Sequence, residues 1–265
     1  HYIDSTGEPS FVRHLVATAH NRAKQRGLIF LPAFGYDYVP GHLAGAAALS
    51  AAGPLATRVA IGYFIAPGRK FRRSQGTNAS LFAAALDPGL FWRDGRLVED
   101  FGATRWRSFS VGKLTLDAVS IPSSEHLWLP GVYPQLTDVE AYLGWFGNGS
   151  RWMSRLSRMN APLLRVSWIS RMLKSLAPAP KSEGDGPSDE ELLNSGAHVV
   201  ALAYDRSGKE LARADLMGLD GYNYTAKMLA CAAQAIADGV VSAAGALGPL
   251  QALGYQSLVK ANHES

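Results

Sequence analysis

The stretch from Tyr2 to Leu31 constrains the fold more than any other part of the chain. Tyr2-Ile3-Asp4 reads as the end of an apolar strand, and Ser5-Thr6-Gly7-Glu8 as a turn. Pro9 suits the first turn of a helix, where its missing N–H costs nothing. Phe11, Leu15, Ala19 and Ala23 then recur at helical spacing, with Val12 and Val16 on a neighbouring stripe. Arg22, Lys24 and Arg26 favour the C-terminal end of that helix, and Gly27 can close it. Leu28-Ile29-Phe30-Leu31 follows as a continuous apolar run, the pattern of a strand buried on both faces of a parallel sheet. Strand, helix and strand in this order form half of a doubly wound α/β unit.

A second helix is expected from about Pro40 to Ala52, rich in small residues and ended by Gly53-Pro54. The character of the sequence changes near Thr57. Val59–Ile65 reads as a strand and Ser74–Leu86 as a helix, ended by Asp87-Pro88-Gly89. Trp92 and Leu97-Val98 flank Asp94-Gly95, a hairpin signal. Strand-like stretches follow near Arg105–Val111, Leu114–Ile121 and Val139–Leu143, then a basic helical stretch, Arg151–Leu176. Residues 177–191 hold several Pro, Gly and charged residues and read as a mobile loop. His198–Tyr204 and Glu210–Met217 read as two strands joined around Asp205-Arg206-Ser207-Gly208, and Asn223–Ala237 as a long helix. Two parallel strands are too few for an open sheet, so the chain reads as incomplete at its N-terminus.

Composition narrows the function classes. A 47% hydrophobic and 18% charged chain of 265 residues can bury a substantial core. The net charge of +4 makes no case for nucleic acid. The one cysteine, Cys231, sits in an alanine-rich apolar stretch and reads as a small buried hydrophobe. No Cys/His cluster has metal-ligand spacing, no Gly-x-Ser-x-Gly elbow is present, and no apolar run reaches the roughly 18 residues of a membrane span. The stretch 151–176 mixes Arg and Lys with Trp, Leu and Ile. It could lie on an anionic membrane surface, or equally cover a core or a partner.

Tyr2-Ile3-Asp4-Ser5-Thr6-Gly7-Glu8 resembles the late Rossmann strand and Thr-Gly-Glu turn of saccharopine dehydrogenase-like oxidoreductases. Leu31-Pro32-Ala33-Phe34-Gly35-Tyr36-Asp37-Tyr38-Val39-Pro40-Gly41 resembles that family's proline-containing strand and its Gly-aromatic-Asp-x-x-Pro turn. Gln75-Gly76-Thr77-Asn78-Ala79-Ser80 resembles its Gly-Thr-x-x-Ser helix start. Arg93–Val98 resembles its hairpin, and Gly221-Tyr222-Asn223-Tyr224-Thr225-Ala226 the start of its returning helix. The order of these segments carries the resemblance, which is strongest to the branch of trans-acting enoyl reductase-like proteins. The lysine-pathway enzymes have Gly-Leu-Asp-Pro-Gly at the turn where Tyr38-Val39 here separates Asp37 from Pro40.

The resemblance implies an α/β with α+β fold. Residues 1–55 would be the C-terminal remnant of a Rossmann NAD(P)-binding domain, 56–218 a mixed-sheet substrate and dimerisation domain, and 219–265 a helix and tail returning to the Rossmann domain. It implies hydride transfer between NADP or NAD and a small-molecule or lipid-like substrate, in the cytoplasm or at a membrane surface, with a homodimer compatible with the second domain. The glycine-rich turn that holds the cofactor's pyrophosphate belongs to the first βα unit, which would precede His1. A chain beginning at His1 is therefore expected to bind the cofactor weakly or not at all and to be inactive alone. Gly245-Ala246-Leu247-Gly248 does not replace that turn and reads as a loop or helix end. A second reading is a non-catalytic, lipid-associated scaffold that uses residues 151–176 as its contact.

Cofactors in this architecture lie across the carboxyl ends of parallel strands. Asp4, Thr6, Gly7 and Glu8 follow the first strand, and Gly35 and Tyr36 follow the second, so these are the cofactor-binding candidates. Asp37 could orient substrate or relay a proton, or it could cap the helix near Pro40. Tyr38 could donate a proton or pack at a domain junction, and His42, just inside the helix, could act as acid or base, although one lone histidine is a weak signal. Arg72, Arg73, Gly76 and Thr77 could hold a carboxylate or phosphate at a helix start, or form a solvated basic loop. Glu125 and His126 have no partner that the sequence identifies.

Overall fold

The structure is a computed structural model that describes residues 1–69, 88–164, 188–218 and 220–264. Its first sheet is parallel, with strands in the order β1 (Tyr2–Ile3), β2 (Ile29–Leu31) and β11 (Gly245–Ala246). Tyr2 pairs with Phe30, and Gly245 with Ile29. Helix α1 (Pro9–Gln25) makes the crossover from β1 to β2 and packs on β11. The N-H of Phe34 reaches the Asp4 carbonyl at 2.7 Å, so the two strands stay linked beyond their carboxyl ends.

The second sheet has six strands in the order β10 (Glu210–Gly218), β9 (Ala197–Tyr204), β3 (Arg58–Ile65), β8 (Asp138–Leu143), β7 (Leu114–Ser120) and β6 (Trp106–Val111). Only the β3–β8 pair is parallel. The hairpin β4 (Pro88–Arg93) and β5 (Arg96–Phe101) stands apart from it, turning at Asp94-Gly95. Both faces of the central strands are buried. Val59, Ile61 and Tyr63 on β3 join Val199, Ala201 and Ala203 on β9 in one core. Ala60 and Phe64 join Val200, Leu202 and Tyr204 in the core behind. This two-residue alternation is what a pleated strand imposes.

Helix α2 (Val39–Ala52) joins the two parts. Ala44, Ala48 and Leu49 pack on the six-stranded sheet, whereas Val39 and Leu43 belong to the core around the parallel sheet. That second core also takes in Met228 and Ala232 of α6 (Gly221–Ala237) and Leu253 and Leu258 of α7 (Pro249–Glu264), which is kinked at Gly254. The fold is therefore α/β with α+β, a Rossmann-like parallel sheet beside a mixed sheet.

Some elements differ from the sequence reading. Gly245–Ala246 is a strand and not a loop or helix end. Two residues carry no periodic signal, and Gly245 is placed by a φ of 115° and by the ring of His20, which a Cβ there would approach to 2.9 Å. Glu125–Val132 forms helix α3, despite Pro130 within it, and the basic stretch begins as helix α4 (Gly149–Leu164). The loop expected to run to Glu191 ends earlier, because Ser188 opens α5 (Asp189–Asn194). The Ser188 side chain accepts from the Glu191 N–H, and the Glu191 carboxylate accepts from the Ser188 N–H at 2.8 Å, a reciprocal cap. The expected helix Ser74–Leu86 and the site candidates Arg72, Arg73, Gly76 and Thr77 lie outside the described residues.

Candidate functional site

The loop from Phe34 to Pro40 is held from several directions, and it defines the site. Asp4 Oδ1 accepts from the N–H of Thr6 at 2.8 Å and of Ala33 at 2.9 Å, tying the β1 turn to the β2 turn. The Thr6 hydroxyl accepts from the Glu8 N–H at 3.2 Å, and Glu8 is the N-cap residue of α1. The Tyr38 hydroxyl donates to the Gly7 carbonyl at 2.8 Å. From the other side, Thr225 on α6 accepts from the Tyr36 N–H at 2.9 Å and donates to the Gly221 carbonyl at 2.7 Å.

Two glycines permit this close assembly. A Cβ on Gly7 would lie 2.9 Å from Asp37 Oδ2, and one on Gly35 would lie 2.8 Å from Thr225 Cγ2. Protein packing alone thus accounts for glycine at both positions.

Between the loop and α6 lies a cleft of about 340 Å³, lined by Ser5, Tyr36, Asp37, Trp145, Tyr222 and Thr225, with Leu229 deeper along α6. It opens at the carboxyl ends of β1 and β2. Asp37 lines this cleft and is exposed to it. Crowding by the surrounding protein pushes its carboxyl up to about 6. Tyr38, not Asp37, is the N-cap residue of α2, so capping does not explain the carboxylate. Tyr36 is raised well above the ordinary tyrosine value, first by burial and then by the Asp37 charge.

Behind the loop is a buried acid that the sequence did not single out as part of the site. Glu125, at the start of α3, is fully buried, and its Oε1 accepts from the Tyr63 hydroxyl at 2.5 Å. The Tyr63 oxygen also lies 3.2 Å from the Tyr38 carbonyl, which already accepts from Gly41 and His42 N–H groups. Burial raises Glu125 to about 7, against the opposing pull of the Tyr63 hydrogen bond, and the Asp37 charge adds to the rise. One hydroxyl proton cannot serve two acceptors. A proton on Glu125 Oε1 would donate to Tyr63 and release the Tyr63 proton to the Tyr38 carbonyl.

The remaining candidates sit in the core. His42 is 1% exposed, its Nε2 is 3.0 Å from Ser124 Oγ, and burial lowers it to about 3. It is a neutral imidazole packed near Trp128. His126 is likewise neutral, lowered to about 4 mainly by burial; its Nδ1 accepts from the Trp92 N–H at 3.2 Å. The structure thus brings Asp4, Thr6, Gly7, Gly35, Tyr36 and Asp37 to one edge, while Tyr38 and His42 lie behind it. Ser5, Trp145 and Tyr222 are cleft residues that sequence reasoning did not name as site residues. Ser5 and Tyr222 carried a signal, within the Tyr2–Glu8 and Gly221–Ala226 resemblances; Trp145 carried none. Among the described residues, no group of three or more His, Cys, Asp or Glu could hold a metal ion.

The architecture is a three-stranded parallel sheet with flanking helices, joined through α2 to a six-stranded mixed sheet. No family model matches the sequence. No curated protein matches it either. Among solved structures, the chain is similar to apo histidine-tagged saccharopine dehydrogenase (L-Glu forming) from Saccharomyces cerevisiae. The TM-score is 0.50 and the identity 12%, over 94% of this chain and 73% of that one. At that identity the likeness is one of fold.

Proposed function

We propose that this protein is an NAD(P)-dependent oxidoreductase whose cleft takes an uncharged, lipid-like or other small substrate, as in the enoyl reductase-like branch that its sequence resembles. The observation that carries the reading is the position of Asp37, an acid with a raised pKa in a cleft at the carboxyl edge of parallel strands. The fold likeness to a saccharopine dehydrogenase supports the same class.

The described residues fit one end of a dinucleotide. Tyr36 and Trp145 offer aromatic faces to a nicotinamide ring, and the Ser5 side chain and the Asp37 carboxyl offer polar contacts to its carboxamide. They do not fit the pyrophosphate. The N-terminus of α6 faces the cleft, but Asp220 Oδ1 already accepts from its Tyr222 and Asn223 N–H groups at 2.8 and 2.7 Å, and a second anion there would be repelled. When bound, the nicotinamide supplies the hydride. Protonated Asp37 is then suited to deliver a proton to the substrate atom that gains charge. Tyr36, Trp145 and Leu229 supply the large nonpolar part of the cleft lining.

Titration with NADPH, NADH and reduced nicotinamide mononucleotide, read by energy transfer from tryptophan to the reduced ring, tests this. Saturable transfer that drops in Trp145→Phe is the expected result. No saturable signal with any of the three, in this chain and in a protein that also carries the glycine-rich turn, would sink the reading.

A further inference from the structure

We propose that helix α4 is a membrane-surface anchor that docks this protein onto anionic lipid bilayers. The proposal is independent of the cleft chemistry. Trp152, Leu156, Met159 and Leu163 are 66%, 56%, 73% and 53% exposed, although all are large and apolar. At about 100° per residue they fall within roughly 60° of one another, a single stripe along the helix. The opposite face attaches the helix to the protein, and it is made of small polar residues. Ser150 and Ser154 are fully buried, and the Ser150 hydroxyl donates to the Asp117 carbonyl at 3.1 Å. The apolar stripe therefore points away from the fold and is not used to hold it together.

Charge selects the occupant. Arg151 is fixed by Asp117 at 2.6 Å and covers the exposed ring of Trp106 at 4.4 Å. Arg155 lies 5.3 Å over Trp152, and Arg158 is exposed one turn on. Helix α4 itself carries Arg151, Arg155 and Arg158 and no Asp or Glu. A surface that is apolar along one stripe and basic beside it matches a lipid interface with anionic headgroups: Leu and Met enter the acyl boundary, Trp sits at headgroup depth, and arginine heads reach the phosphates. A second copy of the chain would bring like charges together. No described helix is long and apolar enough to cross a membrane, so the contact is a surface one.

Co-sedimentation with phosphatidylcholine vesicles, with and without phosphatidylserine, tests the proposal. Binding should tighten about tenfold or more with the anionic lipid, as expected when several basic side chains approach an anionic surface. Leu156→Ser with Met159→Ser should abolish binding, and Arg155→Gln with Arg158→Gln should remove most of the anionic preference. These positions are exposed, and unchanged melting curves should accompany both losses. The proposal is overturned if the wild-type protein ignores anionic vesicles or if the Leu156/Met159 variant binds as well as wild type. It is equally overturned if that variant instead dissolves a dimer seen in the absence of lipid.

Discussion

Alanine in place of a helical glycine normally stabilises a protein by about 1 kcal/mol. At Gly41 the opposite is expected. Gly41 lies in the first turn of α2 and has no positive φ, so the backbone itself would accept alanine. The obstacle is space. A Cβ there would lie 1.9 Å from the Tyr63 hydroxyl oxygen and 2.1 Å from Glu125 Oε1. Both side chains are buried, at 3% and 0% exposure, and neither can swing into solvent. They must separate, which forces the packing and breaks the 2.5 Å hydrogen bond between them. Over-packing costs about 1–3 kcal/mol, and a buried polar pair left unmatched costs about 1–3 kcal/mol more. After the helix gain, the net loss should be about 1–5 kcal/mol.

Gly45, one turn further along α2, supplies the control. Its Cβ would meet only the methyl ends of Ile61 at 3.1 Å and Leu129 at 3.3 Å, which can give by a few tenths of an ångström. Gly45→Ala should stay within about 1 kcal/mol of wild type. Urea denaturation followed by circular dichroism measures both. Combining Gly41→Ala with Tyr63→Phe removes one clashing atom, so the cost of Gly41→Ala should fall by about 1 kcal/mol or more in that background. A Gly41→Ala protein as stable as wild type, or costs that simply add, would refute the reasoning.

Two further outcomes follow from the acids. Glu125 has a folded-state pKa raised to about 7, so the folded protein binds its proton more tightly than the unfolded chain, and this contribution to stability is lost as pH rises from about 4 to about 7. Glu125→Gln should therefore be close to wild type at pH 5 and more stable by about 1–3 kcal/mol at pH 8.5; comparing the two proteins cancels the buried histidines, whose effect runs the other way, and a pH-independent difference would contradict the assignment. In a protein that carries the glycine-rich turn ahead of this chain, Asp37→Asn should lower hydride-transfer turnover by roughly a hundredfold, and should abolish a wild-type rate limb that falls as pH rises through about 6, with an unchanged melting curve; equal pH–rate profiles would remove Asp37 from the chemistry.

Much of the fold was legible because its strands announce themselves locally. β3 and β9 are nearly continuous apolar runs, and the Asp94-Gly95 and Asp205–Gly208 turns mark where paired strands reverse. Helix α3 was not legible, because Pro130 and Gly131 interrupt its eight residues. The site divides in the same way. Asp37 and the start of α6 stood out because each follows a recognisable turn. The Tyr63–Glu125 pair did not. Its members are 62 positions apart and meet only because β3 and α3 both pack on α2. A glutamate beginning a helix looks like an ordinary first-turn acid, and nothing in Ser123-Ser124-Glu125-His126 shows that it is buried.

The way α2 belongs to both cores decides what kind of site this is. The loop before α2 carries the one carboxylate of the cleft lining, and its hydrogen bonds reach into both halves of the molecule. Asp4, Gly7 and Thr225 hold it from the parallel-sheet side, and Tyr63 holds it from the mixed sheet. The position of Asp37 is therefore set by tertiary contacts and not by the local turn, as a site needs if a proton is to be delivered to one atom of a bound molecule. Glu125 acts at one remove. It touches nothing in the cleft, but it fixes Tyr63, which fixes the Tyr38 carbonyl beside Asp37. A change at Glu125 should then reach the cleft through geometry as well as through charge. The isosteric Glu125→Gln, which keeps an oxygen for Tyr63, should disturb the position of Asp37 less than Tyr63→Phe, which removes the link altogether.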